Sequence, residues 1–176
     1  MKDRHVLSVL LENRFGELAR VVGLFSGRGF NIDSLAVNVT ADPGFSKVVL
    51  TTRGSEAIVE QIVKQLRKLI RVKKVVDLSD ERAIERELCL VTVQAVGAAA
   101  RQEVARLVSL TGARVIAFAQ SAFTVEVCAT SHQIDEFLEL LRPLGIRDMA
   151  RSAPIAIARP GAETAGESLP PLGGVA

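Results

Sequence analysis

The residues with the clearest capacity for binding chemistry lie in one short turn, residues 13–18, which reads NRFGEL. Asn13 offers both a hydrogen-bond donor and an acceptor through its side-chain amide. Gly16 lets a ligand approach the backbone, because it carries no Cβ. A helix that begins here presents free backbone N–H groups and the positive end of its dipole, which favour a carboxylate. The turn could therefore hold the charged end of an α-amino acid. The alternative is that Asn13 caps the helix and Gly16 only relaxes the turn.

A second unusual segment, residues 31–35, reads NIDSL and opens a predicted strand. Asn31 could be an ordinary turn residue that tolerates the left-handed conformation. It could also approach the first turn of a neighbouring chain and supply a polar contact there, while Ile32 contributes an apolar wall. The residues alone leave both interpretations open.

Catalytic chemistry finds little support in this sequence. The only histidines, His5 and His132, have no neighbours in the sequence that suggest a triad or a metal site, so we expect both at the surface or at a strand edge. Glu81, Glu85 and Glu87 fall in a polar connector, where we expect solvated charges. Nucleotide-binding glycine motifs and HExxH are absent. The sequence therefore predicts no catalytic residue and no metal site.

The elements that would position these residues follow one pattern twice. Apolar runs and period-two alternation predict strands, and apolar residues at helical spacing predict helices between them. In the first half, we expect strands at 6–11, 31–39, 47–51 and 72–78, with helices across 18–25 and 58–69. In the second half, we expect strands at 88–93, 114–118 and 123–128, a weaker strand within 146–157, and helices around 104–110 and 131–141, the latter capped by Ser131.

Each half therefore predicts a β-α-β-β-α-β unit, and the fold class is α+β with two tandem ferredoxin-like units. Right-handed crossovers place both helices on one face of a four-stranded antiparallel sheet, and the other face stays open. A unit of this size buries little surface, so we expect an oligomer. The predicted domains are 1–79 and 84–158, followed by a disordered tail at 159–176 that is rich in Pro, Gly and Ala.

Composition narrows the class of protein further. Net charge is +2 and aromatic residues make up 4%, with no Trp or Tyr, which argues against nucleic-acid binding. A basic stretch at 64–74 is typical of a solvated helix end, or else of a docking patch for a partner subunit. Cys89 and Cys128 lie in separate apolar runs and are expected to be buried free thiols. No apolar run is long enough to span a membrane, so we expect a cytoplasmic protein.

Several strings resemble a known family. Residues 7–13 (LSVLLEN), 23–35 (GLFSGRGFNIDSL) and 60–69 (EQIVKQLRKL) are closely similar to the small regulatory subunit of acetohydroxyacid synthase, also called acetolactate synthase. The similarity is dense over about 5–80 and looser but in order over 84–158. It does not cover the tail.

This resemblance implies that 1–79 is an ACT domain, an amino-acid-sensing module, and that 84–158 is ACT-like. In the family, two such domains from two chains pair edge to edge and valine binds at their interface. The resemblance assigns six effector-binding residues: Asn13, Gly16, Glu17 and Leu18 from one chain, and Asn31 and Ile32 from its partner. Arg14 and Phe15 stand at positions that vary in the family.

The same resemblance implies a function. A separate catalytic large subunit carries thiamin diphosphate, magnesium and FAD, and none of these cofactors is expected in this chain. The small subunit activates that enzyme and confers feedback inhibition by valine, with leucine or isoleucine as further candidate effectors. The expected partners are a second copy of the chain and the catalytic subunit, with no nucleic acid and no membrane. The alternative is a free-standing amino-acid-binding ACT regulator.

Overall fold

The computed structural model describes residues 3–79 and 83–160. Along the chain the elements are β1 (Asp3–Glu12), α1 (Glu17–Ser26), β2 (Ser34–Val39), β3 (Phe45–Gly54), α2 (Glu56–Leu66), β4 (Val72–Asp77), β5 (Ala83–Gln94), α3 (Gly97–Thr111), β6 (Arg114–Ala119), β7 (Ala122–Ala129), α4 (Ser131–Leu141), β8 (Ile146–Arg151) and β9 (Ile155–Ala158). A 3₁₀ turn, Arg142–Leu144, follows α4. No helix among these residues is long and apolar enough to cross a membrane.

The described chain forms two compact units. The first contains residues 3–79, 83–84 and 155–160, and the second contains 85–154. The sheet of the first unit has the strand order β2-β3-β1-β4, and that of the second has the order β6-β7-β5-β8. Both sheets are antiparallel, which confirms the predicted ferredoxin-like fold class. The boundaries 1–79 and 84–158 stay a prediction, and most of the predicted disordered tail lies outside the described residues.

The core of the first unit joins one face of its sheet to both of its helices. Val21, Leu24 and Phe25 of α1 and the apolar face of α2 pack against Leu7 and Leu50 of the paired strands β1 and β3. The 3.6-residue spacing of these side chains is what makes α1 and α2 amphipathic. This packing fixes α1 against the end of β1, and thereby fixes the turn between them.

The second unit repeats this arrangement with different residues. Val91 and Val125 pair across β5 and β7 and are fully buried beneath the two helices of the unit. Phe137 of α4 is the largest side chain in this core. The helix α3 contributes only Val104 and Leu107 as fully buried residues, so its other faces remain accessible.

The opposite face of the first sheet is partly covered, where the sequence predicted an open face. Val6 and Val49 point to this face and are buried together with Leu78 and Ala156. Ala156 belongs to β9, which follows the second unit along the chain but is part of the first unit. The weak strand predicted within 146–157 is therefore two strands with separate roles.

Two predicted surface residues are buried. Glu87 is only 6% exposed, because its carboxylate accepts a hydrogen bond from Arg151 Nη2 at 2.6 Å. Arg151 also contacts Asp135 of α4 at 2.5 Å, so the cluster ties β5, β8 and α4 together. His5 is 8% exposed, and neither of its ring nitrogens has a hydrogen-bond partner among the residues that the structure describes. The prediction that Glu87 carries a solvated charge was wrong. The prediction that His5 lies at the surface or at a strand edge was also wrong, because His5 is buried in β1, an inner strand of its sheet. His132 is exposed as predicted.

Three further local predictions also need correction. Cys89 is buried, but Cys128 is exposed because it faces away from the helices, on the side opposite to the buried Val127. The cap of α4 is Thr130, whose hydroxyl accepts from the amide of Gln133, and not Ser131. Strand β2 begins at residue 34, so residues 31–33 form a loop.

Candidate functional site

The predicted binding turn lies where β1 ends and α1 begins. Gly16 is the N-cap of α1 and has φ +83°, in the left-handed region. A Cβ added there would meet no atom within 4 Å, so the space beside this backbone is open. No side chain in the described part of the chain caps the helix, and the amides of its first turn, such as that of Leu18, have no partner within the helix. The turn therefore offers hydrogen-bond donors at the positive end of a helix dipole.

Asn13 does not cap the helix, which contradicts one half of the alternative weighed above; the other half, that Gly16 only relaxes the turn, is compatible with its φ of +83°. Its backbone amide donates to the carbonyl of Gly44 at 2.8 Å, and its Nδ2 donates to the carbonyl of Pro43 at 3.0 Å. Both bonds tie it to the hairpin between β2 and β3. The remaining polar group of its side chain is the carbonyl Oδ1, which can accept from an ammonium group.

Glu17 turns its side chain into the protein. It is 6% exposed, and its Oε1 lies 3.3 Å from Arg20 Nη1 and 3.3 Å from Arg71 Nε. The carboxylate thus anchors the first turn of α1 to the loop that precedes β4. Glu17 holds the turn in place, and the amide of Leu18 is the better placed donor, because the amide of Glu17 already donates to the carbonyl of Arg14.

Cations outnumber carboxylates around the turn. Glu12 lies 2.7 Å from Lys73, 3.3 Å from Arg14 and 3.5 Å from Arg71. The hydrogen bond from Lys73 is the largest cause that lowers the pKa of Glu12, and the charges of the neighbouring arginines lower it further. Together with Arg20, four cations face two carboxylates. This surplus of positive charge favours an anionic group at the turn. The sequence indicated only the basic stretch, because Arg71 is distant from Glu17 along the chain.

Asn31 and Ile32 lie in the loop before β2. The side-chain Nδ2 of Asn31 donates to Asp33 Oδ1 at 2.6 Å. The backbone carbonyl of Asn31 accepts a hydrogen bond from Thr52 Oγ1 at 2.6 Å. Ile32 packs partly against the first core. Asp33 in turn pairs with Arg53 at 2.9 Å, so this loop is held at the end of β3.

Within one chain, the structure does not bring Asn31 to Asn13. Thr52, which holds Asn31, pairs with His5 near the start of β1, whereas Asn13 follows the end of that strand. The eight residues from His5 to Asn13 span roughly 26 Å at about 3.3 Å per residue. A ligand as small as an amino acid cannot bridge this distance, so a site that uses both asparagines needs two chains.

The second unit repeats the geometry of the turn without its polar side chain. Gly97 begins α3 with φ +82°, and the space beside it is also open. The amide of Ala95 donates to the carbonyl of Ser121 as the amide of Asn13 donates to that of Gly44, so an alanine stands where Asn13 stands in the first unit. The predicted effector residues therefore all belong to the first unit.

One groove in the second unit was not predicted. It has a volume of about 820 Å³ and lies beside the end of α3 and the helix α4, with Leu110, Leu140, Arg86 and Glu136 in its walls. None of the predicted effector residues lines it. Among the described residues, no group of three or more His, Cys, Asp or Glu could hold a metal ion.

Comparisons with known proteins agree across both units. Residues 7–74 match the model of the "AHAS small subunit-like ACT domain", and residues 86–160 match that of the "small subunit of acetolactate synthase". A probable acetolactate synthase small subunit of Methanothermobacter thermautotrophicus is 43% identical over 157 residues, which cover 89% of this chain and 94% of that protein. The isozyme 3 small subunit of Escherichia coli is also 43% identical, with 89% and 96% covered.

A solved structure supports the same assignment. The crystal structure of the acetolactate synthase small subunit from Thermotoga maritima superposes with a TM-score of 0.79 at 31% identity. It covers 89% of this chain and 98% of the Thermotoga chain. The similarity therefore includes both units.

Proposed function

The chain belongs to the family of acetolactate synthase small subunits, and on that premise we propose that it activates the catalytic subunit and makes it sensitive to feedback inhibition by valine. Membership of this family makes the chain a regulatory subunit of acetolactate synthase. The thiamin diphosphate, magnesium and FAD of the reaction would all belong to the catalytic chain.

The proposed effector site forms between two chains that pair through β2. This strand is at the edge of the first sheet, so its outer side is available to another strand. In a two-fold dimer, the two copies of β2 would run antiparallel. The loop before β2 in one chain would then lie beside the opposite end of the sheet in the other chain. That arrangement brings Asn31 and Ile32 of one copy to the turn at Gly16 of its partner.

The single observation that carries this proposal is the roughly 26 Å of strand between Asn13 and Asn31 in one chain. Antiparallel pairing of the two copies of β2 brings Asn31 of one chain to the end of the sheet that carries Asn13 of the other chain, whereas parallel pairing would keep the two asparagines at opposite ends. Both asparagines can then contact one ligand, and five of the six predicted residues would form a single site, in which Glu17 holds the turn in place.

The chemistry of the site suits a zwitterion with an aliphatic side chain. The amide of Leu18 and the cation surplus around Glu12 and Glu17 favour the carboxylate. The Oδ1 of Asn13 can accept from the ammonium group. Ile32, and the partly exposed side chain of Leu18, supply apolar walls. One methylene in such a pocket changes the binding free energy by about 1–3 kcal/mol, so the preference for valine over leucine or isoleucine is modest.

Inhibition follows if valine binds one arrangement of the dimer more tightly than another. A ligand shifts such an equilibrium only by the difference between its affinities for the two arrangements. A ligand that contacts both chains is sensitive to that difference, because a change in the pairing of β2 moves one half of its site relative to the other.

The test combines the purified chain with the catalytic large subunit from the same genome. We expect acetolactate formation to rise when the chain is added and to fall again when valine is present. Calorimetry on the chain alone should detect about one valine per chain, because a two-fold dimer contains two such sites. If the rate does not rise and valine has no effect, the proposal is wrong.

A further inference from the structure

Two large apolar side chains stand fully in solvent at one end of the first unit. Phe15 is 106% exposed at the tip of the β1–α1 turn, and Ile70 is 91% exposed in the loop between α2 and β4. We call these two residues, with the flanking cations Arg14, Lys68 and Arg71, the apical surface. Exposed apolar groups surrounded by polar residues are typical of a surface that binds another protein.

The two loops form one surface because they are bonded to each other. The amide of Glu12 donates to the carbonyl of Arg71 at 3.0 Å. The guanidinium of Arg71 contacts both Glu12 and Glu17, at 3.5 Å and 3.3 Å. The segments that carry Phe15 and Ile70 are thus held together, and a partner would meet both tips in a fixed arrangement.

The apical surface lies in the most basic part of the chain. Residues 12–20 and 67–74 contain seven Lys or Arg residues and two Glu residues, a net charge of +5. The whole chain has a net charge of only +2, so all other residues together are acidic. Such a concentration of charge indicates a partner surface that is acidic.

We propose that the apical surface docks the catalytic large subunit, which would offer an apolar recess for Phe15 and Ile70 with an acidic rim. This inference rests on the proposed function. A second copy of the chain is disfavoured, since the two segments around this surface, which have a net charge of +5 in each copy, would repel each other across a two-fold axis. Single-stranded nucleic acid is disfavoured as well, because Ile70 offers no aromatic face on which a base could stack.

Docking at this surface would place the partner beside the effector turn. Phe15 immediately precedes Gly16, and Arg71 bonds to Glu17, the first residue of α1. Valine at the turn would therefore act on groups that touch the large subunit directly, and a long pathway through the fold would not be needed.

The test replaces each apolar tip and leaves the core intact. We expect Ile70→Ser and Phe15→Ser each to weaken binding to the large subunit of the same genome by about thirty-fold, the effect typical of an interface anchor. Biolayer interferometry at fixed salt measures this, and wild-type binding should weaken as salt rises. Both side chains are exposed, so melting temperatures should stay within a degree or so of wild type, and Ile70→Ser should keep its calorimetric affinity for valine.

Phe118→Ser is the matched control, since Phe118 is 82% exposed but belongs to β6 in the second unit. It should bind and activate the large subunit like wild type. If wild type activates and all three variants bind equally well, the docking assignment is overturned and the proposed function stands. If wild type does not bind the large subunit, both are overturned. The assignment is also overturned by a third outcome: a single-stranded RNA probe binds wild type more tightly than Ile70→Ser, while the large subunit binds both equally well.

Discussion

Gly16→Asp is the sharpest test of the effector site, because its two effects can be calculated separately. Aspartate at φ +83° strains the backbone by roughly 1–2 kcal/mol, and it meets no atom within 4 Å of its Cβ. The fold should therefore tolerate it, with a melting temperature a few degrees lower. The new carboxylate would stand beside the carboxylate of the bound amino acid.

The repulsion between these two carboxylates sets the expected loss of affinity. At about 4 Å it amounts to about 1 kcal/mol in bulk water and about 4 kcal/mol at the effective dielectric near a protein surface. The valine Kd should thus rise by between about five-fold and a thousand-fold. Isothermal titration calorimetry on the chain alone measures the Kd, and acetolactate formation should still be activated by the variant.

Two control variants separate charge from strain. Gly16→Asn has a similar shape and tolerates the same backbone conformation but carries no charge, so it should keep most of the affinity for valine. Gly97→Asp introduces the same strain at φ +82° in the second unit and should leave valine binding unchanged. If Gly16→Asp binds valine as tightly as wild type, the turn is not the site. If Gly16→Asn loses as much affinity as Gly16→Asp, electrostatic repulsion is the wrong explanation.

Three further predictions concern the fold. Thr130→Ala should lower the free energy of unfolding by about 1 kcal/mol in a urea titration, while Thr130→Ser keeps the cap of α4; equal midpoints would contradict the cap. Ala156→Asp buries a charge at a position that is only 3% exposed and should strongly reduce the melting temperature. Ile157→Asp, at a position 55% exposed on the same strand, should leave the melting temperature nearly unchanged. Similar melting curves for the two variants would show that β9 does not cover the sheet. Ellman's reagent should label one thiol per native chain, Cys128, because burial raises the pKa of Cys89; two thiols in the native protein would refute this.

Much of the fold was predictable because its signals are local. Alternating residues in the strands and helical spacing in α1, α2 and α4 reveal the repeated β-α-β-β-α-β order. Glu87 was misjudged because its partner Arg151 lies 64 residues away, and no local pattern reveals that pairing. Cys128 was misjudged because the apolar run around it does not tell which face of β7 is covered.

The geometry of the turn was predictable only in part, and its role as a site stays a prediction. The glycine at the start of α1 indicates a backbone that a ligand can approach, and the space beside Gly16 is open among the described residues. The bond from Asn13 to Pro43 and the cluster around Arg71 depend on the hairpin and on the loop before β4, which the sequence does not join to the turn. Asn31 was assigned to a strand because apolar alternation begins only a few residues later, at Leu35.

The return of β9 to the first unit has a consequence for the order of folding during synthesis. Residues 85–154 form the second unit and are translated before β9, so the ribosome adds 70 residues between the two parts of the first unit. At a synthesis rate of about 5–20 residues per second, roughly 4–14 s pass before the strand that covers Val6 and Val49 is synthesised. The nascent first unit therefore keeps part of an apolar sheet face accessible until the residues of the second unit have been added to the chain.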